Sequence, residues 1–186
     1  MSALTKKALI NSFFNLLKNQ PYKKITVSDI TNDCGVNRMT FYYHFKDLND
    51  LVEKSFENLF YETMRESRSD GDWSVTYLNL FNVIYTKKEY VKKLYPEFDI
   101  RELLAFIFPL ASTMAHGVVE QKIRNEFTES TKARLVHAIS CCMVGSFLEW
   151  LESDMTKDPQ ELVNDQKELF DAAVFGILTS QEKLPK

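Results

Sequence analysis

The residues with the most chemical capacity stand together near the start of the chain. Thr40, Tyr42, His44 and Lys46 alternate hydroxyl, phenol, imidazole and ammonium groups, and Asn37, Arg38, Met39 and Tyr43 lie among and just before them. Aromatic rings interleaved with hydrogen-bond donors and cations are costly on a bare protein surface. They are useful against sugar-phosphate and thymine methyls. Arg38 can read a guanine, the commonest specific arginine contact, and can equally reach a phosphate. Charge agrees: Met1–Leu48 carries seven basic and three acidic residues, a local net of +4, so the rest holds −7 of the overall −3. A basic head on an acidic body is the pattern of a module that meets phosphate while the remainder stays off it.

These residues need a scaffold, and the sequence supplies one. Leu9, Phe13, Leu16 and Leu17 form one apolar stripe, predicting a helix from about Thr5 to Asn19 that Pro21 stops. Thr26-Val-Ser-Asp29 reads as a capping box opening a short helix to about Cys34, where Gly35 supplies a left-handed turn. Asn37 then caps a second short helix, Arg38–His44. Phe41 and Phe45 face inward, while Ile25, Ile30 and Val36 pin the pair against Phe13 and Leu17. Two short helices on a glycine turn, braced by a preceding helix, make a helix-turn-helix. Asp47, with Asp50 three residues on, caps a longer helix carrying Leu48, Leu51, Val52, Phe56, Leu59 and Phe60.

Ile25-Thr-Val-Ser-Asp-Ile30, Gly35-Val36, Thr40-Phe-Tyr-Tyr-His-Phe-Lys46 and Leu51 together resemble the DNA-binding head of the tetracycline-repressor (TetR) family, over about Lys6 to Leu59. Gly145-x4-Trp150 followed by Pro159-x-Glu161 is similar to a group of such regulators from Gram-positive bacteria. The resemblance implies that Thr26, Thr40, Tyr42, His44 and Lys46 hold phosphates, while Asn37, Arg38, Met39 and Tyr43 face or flank base edges. It also implies an all-α, ligand-binding, dimer-forming body, and repression as the commoner outcome, activation also occurring. Two positions depart from the family pattern. Leu48 stands where a lysine is usual, removing one phosphate contact, and Thr31 replaces a small residue four before the turn glycine.

The expected fold is all-α: a three-helix head, residues 1–66, joined to a helical bundle, residues 67–186, with about nine helices in total. The boundary lies at Ser67-Arg-Ser-Asp-Gly-Asp72. Further helices are expected at about 73–85, 87–95, 100–125, 132–154 and 160–180. Glu102 to Val119, apolar on nearly every face, reads as a helix buried inside the bundle, kinked or restarted at Pro109. Tyr77, Phe81, Tyr85, Phe106, Met114, His116 and Phe147 either line an effector cavity or pack as core, and His116 is either a satisfied core histidine or a polar anchor. Cys141 and Cys142 read as small buried hydrophobes. Met143, Phe147, Trp150, Leu151, Phe170, Val174 and Ile177 form stripes on the last two helices, suited to a four-helix bundle with a second copy or to internal core.

Three scattered cysteines give no disulfide framework and no metal-ligand spacing, so neither metal nor cofactor is expected. No signal peptide is expected at the N-terminus, and the stretch Leu103–Ala111 is too short to span a membrane. A cytoplasmic, bacterial location follows. Without nucleophile motif, phosphate loop or paired carboxylates, an enzyme is not expected. The expectation is a homodimeric regulator on palindromic double-stranded DNA. A small-molecule or protein effector in the body would alter the spacing of the two heads through the 47–67 helix. The alternative is an architectural DNA-binding protein with no small-molecule effector.

Overall fold

A computed structural model describes residues 3–67, 72–122 and 127–181. Among these residues there are nine α-helices and no strand. They are α1 (Ala3–Asn19), α2 (Val27–Asp33), α3 (Arg38–His44), α4 (Leu48–Glu66) and α5 (Trp73–Thr86), then α6 (Lys88–Leu94), α7 (Ile100–Lys122), α8 (Glu129–Glu152) and α9 (Pro159–Gln181). The fold is all-α, and α3 has the bounds expected of it. The chain divides into two compact units, Met1–Glu62 with Lys87–Ile100, and Thr63–Thr86 with Arg101–Lys186.

The first unit closes over Leu9, Phe13, Leu17, Ile25, Ile30, Phe41, Phe45, Leu51 and Val52. Its second segment, Lys87–Ile100, was expected in the body, and aromatic and polar anchors explain why it packs with the head. Leu94 joins the core, Tyr90 meets Phe14 edge-on at 5.2 Å and Phe98 stacks on Tyr22. The Lys93 ammonium donates to the Leu17 and Lys18 carbonyls at 2.8 and 2.9 Å. It thereby satisfies carbonyls that the end of α1 leaves without helical partners.

In the second unit α5 packs along α9. Asp72 caps α5, accepting from the Ser74 N–H at 2.9 Å and pairing with Lys167 of α9 at 3.0 Å. Trp73, Tyr77, Phe81 and Ile84 recur at helical spacing on the buried face of α5. The turn into α9 holds two consecutive non-glycine residues at positive φ, Asp154 (60°) and Met155 (53°). They are held there by Met155 N–H donating to the Trp150 carbonyl at 2.7 Å, by burial of the Met155 side chain, and by Trp150 Nε1 donating to the Lys157 carbonyl.

Two expectations for this unit are corrected. α7 does not restart at Pro109: the helix continues through it, and the Thr113 hydroxyl donates back to the Pro109 carbonyl at 3.0 Å. Nor is α7 buried throughout: residues 100–110 are half or fully exposed, and burial begins at Ala111 with Met114, Ala115, Val118 and Val119. Apolar composition says that a face lowers its energy when covered, not that its own chain covers it. Ile100–Gln121 and Glu129–Glu152 are long and apolar enough to cross a membrane by length and composition, at mean hydropathies of 1.5 and 1.3. The core helices of soluble proteins meet the same criterion.

Candidate nucleic-acid interface

Local chemistry fixes each step from α2 to α3. Thr26 Oγ1 accepts the Asp29 N–H at 3.2 Å, and Asp29 Oδ2 accepts from the Thr26 N–H at 2.8 Å and from its hydroxyl at 2.7 Å. These bonds, the hydroxyl's first, hold the Asp29 carboxyl below the usual carboxylate range. Gly35 takes φ +64°, and its neighbour Val36 donates to the Thr31 carbonyl at 2.9 Å, closing the turn. A side chain at Gly35 would meet nothing within 4 Å, so only its backbone angle calls for glycine there. Thr31, unusual at its position, is buried, and its hydroxyl donates to the Val27 and Ser28 carbonyls at 3.0 and 3.2 Å. The branched residue thus satisfies its own polar atom inside α2.

Asn37 Oδ1 accepts the Met39 N–H at 2.9 Å and opens α3. This helix buries one residue, Phe41, which packs on Phe45 at 5.5 Å. Its other large side chains, His44 apart, face water: Met39 is 72% exposed, Tyr43 65% and Tyr42 47%, with Arg38 and the flanking Asn37 and Lys46 also exposed. Thr40 and His44 are half-buried at the edge of this face. One surface therefore carries a guanidinium, an ammonium, two phenols, a thioether and an amide.

Two members of the expected phosphate clamp are committed within the chain. The single Thr26 hydroxyl proton is engaged by Asp29. His44 Nε2 is buried without a hydrogen-bond partner, its ring flanked by Tyr43 and Phe45 at 5.0 and 6.2 Å. Burial, then the nearby Lys6 ammonium, lowers the pKa of this imidazole. Leu48, in the place of the usual lysine, packs half-buried against the first unit's core. Sequence reasoning passed over two cations beside this surface. Lys54 pairs with Asp50 at 2.8 Å, donates to the His44 carbonyl and lies 5.8 Å from the Phe45 ring centre, and Lys6 sits 5.9 Å from the same ring centre. The i,i+4 spacing of Asp50 and Lys54 was the available signal.

In the second unit, four of the candidate effector residues come together in one aromatic cluster. Tyr77 meets Phe81 at 4.8 Å, Phe81 meets Trp150 at 4.9 Å and Phe147 at 5.9 Å, and Tyr85 stacks on Trp150 at 6.1 Å. Tyr77 is buried and its hydroxyl donates to Gln166 Oε1 at 2.8 Å, which leaves Gln166 Nε2 buried without a partner. Burial raises the Tyr77 pKa far above its ordinary value. Met114 is buried, Phe106 half-buried and Tyr85 partly in solvent. His116 is exposed rather than set among apolar groups, since it falls on the outer face of α7.

Of the expected interface stripe, Met143, Trp150, Leu151 and Phe170 are buried within the chain itself and Phe147 is half-buried. The side chains of Val174 and Ile177 lie outside the described residues. The faces left open carry Ala138, Cys141, Cys142 and Gly145 on α8, and Leu169, Ala172 and Gly176 on α9. Both cysteines are thus exposed, where burial was expected.

Residues 9–54 match the family described as bacterial regulatory proteins, tetR family, and residues 71–172 match a transcriptional regulator C-terminal region. The HTH-type dhaKLM operon transcriptional activator DhaS of Lactococcus lactis is 28% identical over 94 residues, 50% of each chain. The chain thus spans about half the length of this curated relative in that match. The solved structure of a dihydroxyacetone kinase operon activator, DhaS, has a similar fold at a TM-score of 0.74 and 20% identity, covering 93% of this chain and 97% of that one. A TetR transcriptional regulator from Streptococcus agalactiae matches at 0.56 and 22%, covering 91% and 93%. The Thermus thermophilus repressor FadR in complex with lauroyl-CoA matches at 0.57 and 18%, covering 89% and 92%.

Proposed function

The chain belongs to the tetR family of bacterial transcriptional regulators, and we propose that residues 1–66 read a specific operator while residues 67–186 bind an effector and a second copy. The observation that carries this reading is the composition of α3. A seven-residue helix that buries only Phe41 contributes little packing, yet it holds Arg38, Met39, Tyr42 and Tyr43 out in water. That arrangement is explicable if the helix enters a major groove. Lys46 and Tyr42 then position the helix on phosphates, with Thr40 at the edge. Arg38, Met39, Tyr43 and the amide of Asn37 discriminate bases. Thr26 and His44 contact phosphate once their present commitments, to Asp29 and to burial, are released.

Two heads on a two-fold axis read a palindrome, as a homodimer requires. The open faces of α8 and α9 are the surfaces for that second copy. The aromatic cluster around Phe81 is the region for a small-molecule or protein effector. The protein works in the cytoplasm and has no catalytic role. Related proteins include a named operon activator and a named repressor that holds an acyl-CoA.

Selection of bound duplexes from random double-stranded DNA tests the reading. The expected result is an enriched palindrome with half-sites one helical turn apart, about 10 base pairs centre to centre. Failure to enrich any sequence would sink specific DNA recognition. Enrichment that no ligand or partner ever modulates would favour an architectural role.

A further inference from the structure

We propose that His137 and Cys141 on α8 form half of a zinc-type metal site that a second copy of the chain completes. Both residues are exposed, and they are four apart on one helix, which sets their side chains one above the other. His137 Nε2 and Cys141 Sγ stand 3.7 Å apart. Zinc binds imidazole nitrogen at about 2.0–2.1 Å and thiolate sulfur at about 2.3 Å, so a tetrahedral ion holding both would separate them by about 3.6 Å. The pair already has the bite of two zinc ligands. The Phe108 ring lies 5.7 Å from the His137 ring and steadies its orientation from α7.

Two ligands do not make a site. Among the described residues no group of three or more His, Cys, Asp or Glu stands close enough to share an ion. Cys142 is also exposed, but it stands five residues from His137, about 140° round the helix, and so does not share the pair's bite. The missing ligands must come from elsewhere, and an isologous contact supplies them in the required number. If α8 meets its own two-fold mate, the same pair from each chain surrounds an ion on the axis, giving a Cys2His2 set. The face allows this approach. Ala138 and Gly145 flank the pair, and a Cβ at Gly145 would meet nothing in its own chain within 4 Å. This inference rests on the homodimer reading above and adds to it a ligand class, a thiophilic divalent cation. On binding, each Cys141 thiol gives its proton to solvent and its sulfur lone pair to the metal, with no change of oxidation state. The ion would then tie the two copies together.

The test uses the reduced, full-length protein, freed of metal by chelation and titrated with cobalt(II), with sedimentation velocity run in parallel. A thiolate-to-cobalt charge-transfer band with tetrahedral d–d bands, saturating at one cobalt per two chains, is expected. Cys141→Ser and His137→Ala should abolish the bands, Cys142→Ser should keep them, and zinc should bleach them. All three substitutions lie on a solvent face, and circular dichroism checks that each variant folds. A dimer with no cobalt bands, or bands that follow Cys142 instead of Cys141, overturns the metal site and leaves the dimer standing. A chain that sediments as a monomer with and without cobalt overturns the homodimer reading as well.

Discussion

The two units solve opposite problems with the same secondary structure. In the first, α2 and α3 have only seven residues each, too few to be stable helices by themselves in water. They persist because Thr26 and Asn37 cap their starts, Gly35 sets the angle between them, and Phe41 and Phe45 anchor them to a shared core. The second unit relies on length and rings: helices of 23 and 24 residues with Trp73, Tyr77, Phe81, Trp150 and Phe170 packed at their crossings. The first unit buries Phe13, Phe41 and Phe45 yet leaves Met39, Tyr42 and Tyr43 of one short helix in water. The second buries most of its rings against one another. The comparison therefore predicts where stability and recognition separate.

The sharpest break comes from removing a ring. Trp150→Ala should destabilise the protein by about 3–5 kcal/mol in urea unfolding, because it empties a buried cluster and leaves the Lys157 carbonyl without its indole donor. A loss of under about 1 kcal/mol would contradict ring packing as the basis of the second unit. Gly35→Ala should cost about 1–2 kcal/mol. That cost would be wholly conformational, since the added methyl meets no neighbour. Asn at this position, which tolerates the left-handed region, should recover part of it.

A smaller effect belongs to Lys46. Lys46→Ala should weaken binding to all DNA sequences alike and lower the salt slope by about one unit. Its thermal stability should stay within about 0.5 kcal/mol of the parent. An unchanged slope would count against phosphate contact there. The smallest concerns His44, whose folded pKa is lowered by burial and by Lys6. The unfolded chain then binds the proton more readily, so this contribution to stability is present above the unfolded pKa, near 6.5, and is lost as pH falls through the lower folded value. His44→Gln should remove that acid-side slope between pH 7 and 5. A slope unaltered by the substitution would place its origin elsewhere.

The head was legible because its signals are local. A capping box, a turn glycine and an N-cap asparagine each act within four residues, so their spacing in the sequence is their geometry in the fold. What misled was partnership at a distance. Helical periodicity marks Met143, Trp150, Leu151 and Phe170 as apolar, yet does not say whether the cover is the same chain, and they prove to be internal core. The same ambiguity placed Cys141 and Cys142 inside and His116 among apolar groups. Pro109 misled differently: a proline forfeits one helical hydrogen bond, and a long helix tolerates that loss where the surrounding turns hold. Gln166 gave no signal, because its burial depends on Tyr77 of a helix far earlier in the chain.

The return of residues 87–100 to the first unit also sets a clock on synthesis. The head's core lacks Leu94, and α1 lacks its Lys93 cap, until the chain has been made as far as Ile100. At about 5–20 residues per second, the stretch from Thr63 to Ile100 delays completion by roughly two to eight seconds. A nascent chain released at Glu62 would carry every expected DNA contact and still leave Phe14 and Tyr22 without the rings of Tyr90 and Phe98. The reader is assembled late, after part of the body has left the ribosome.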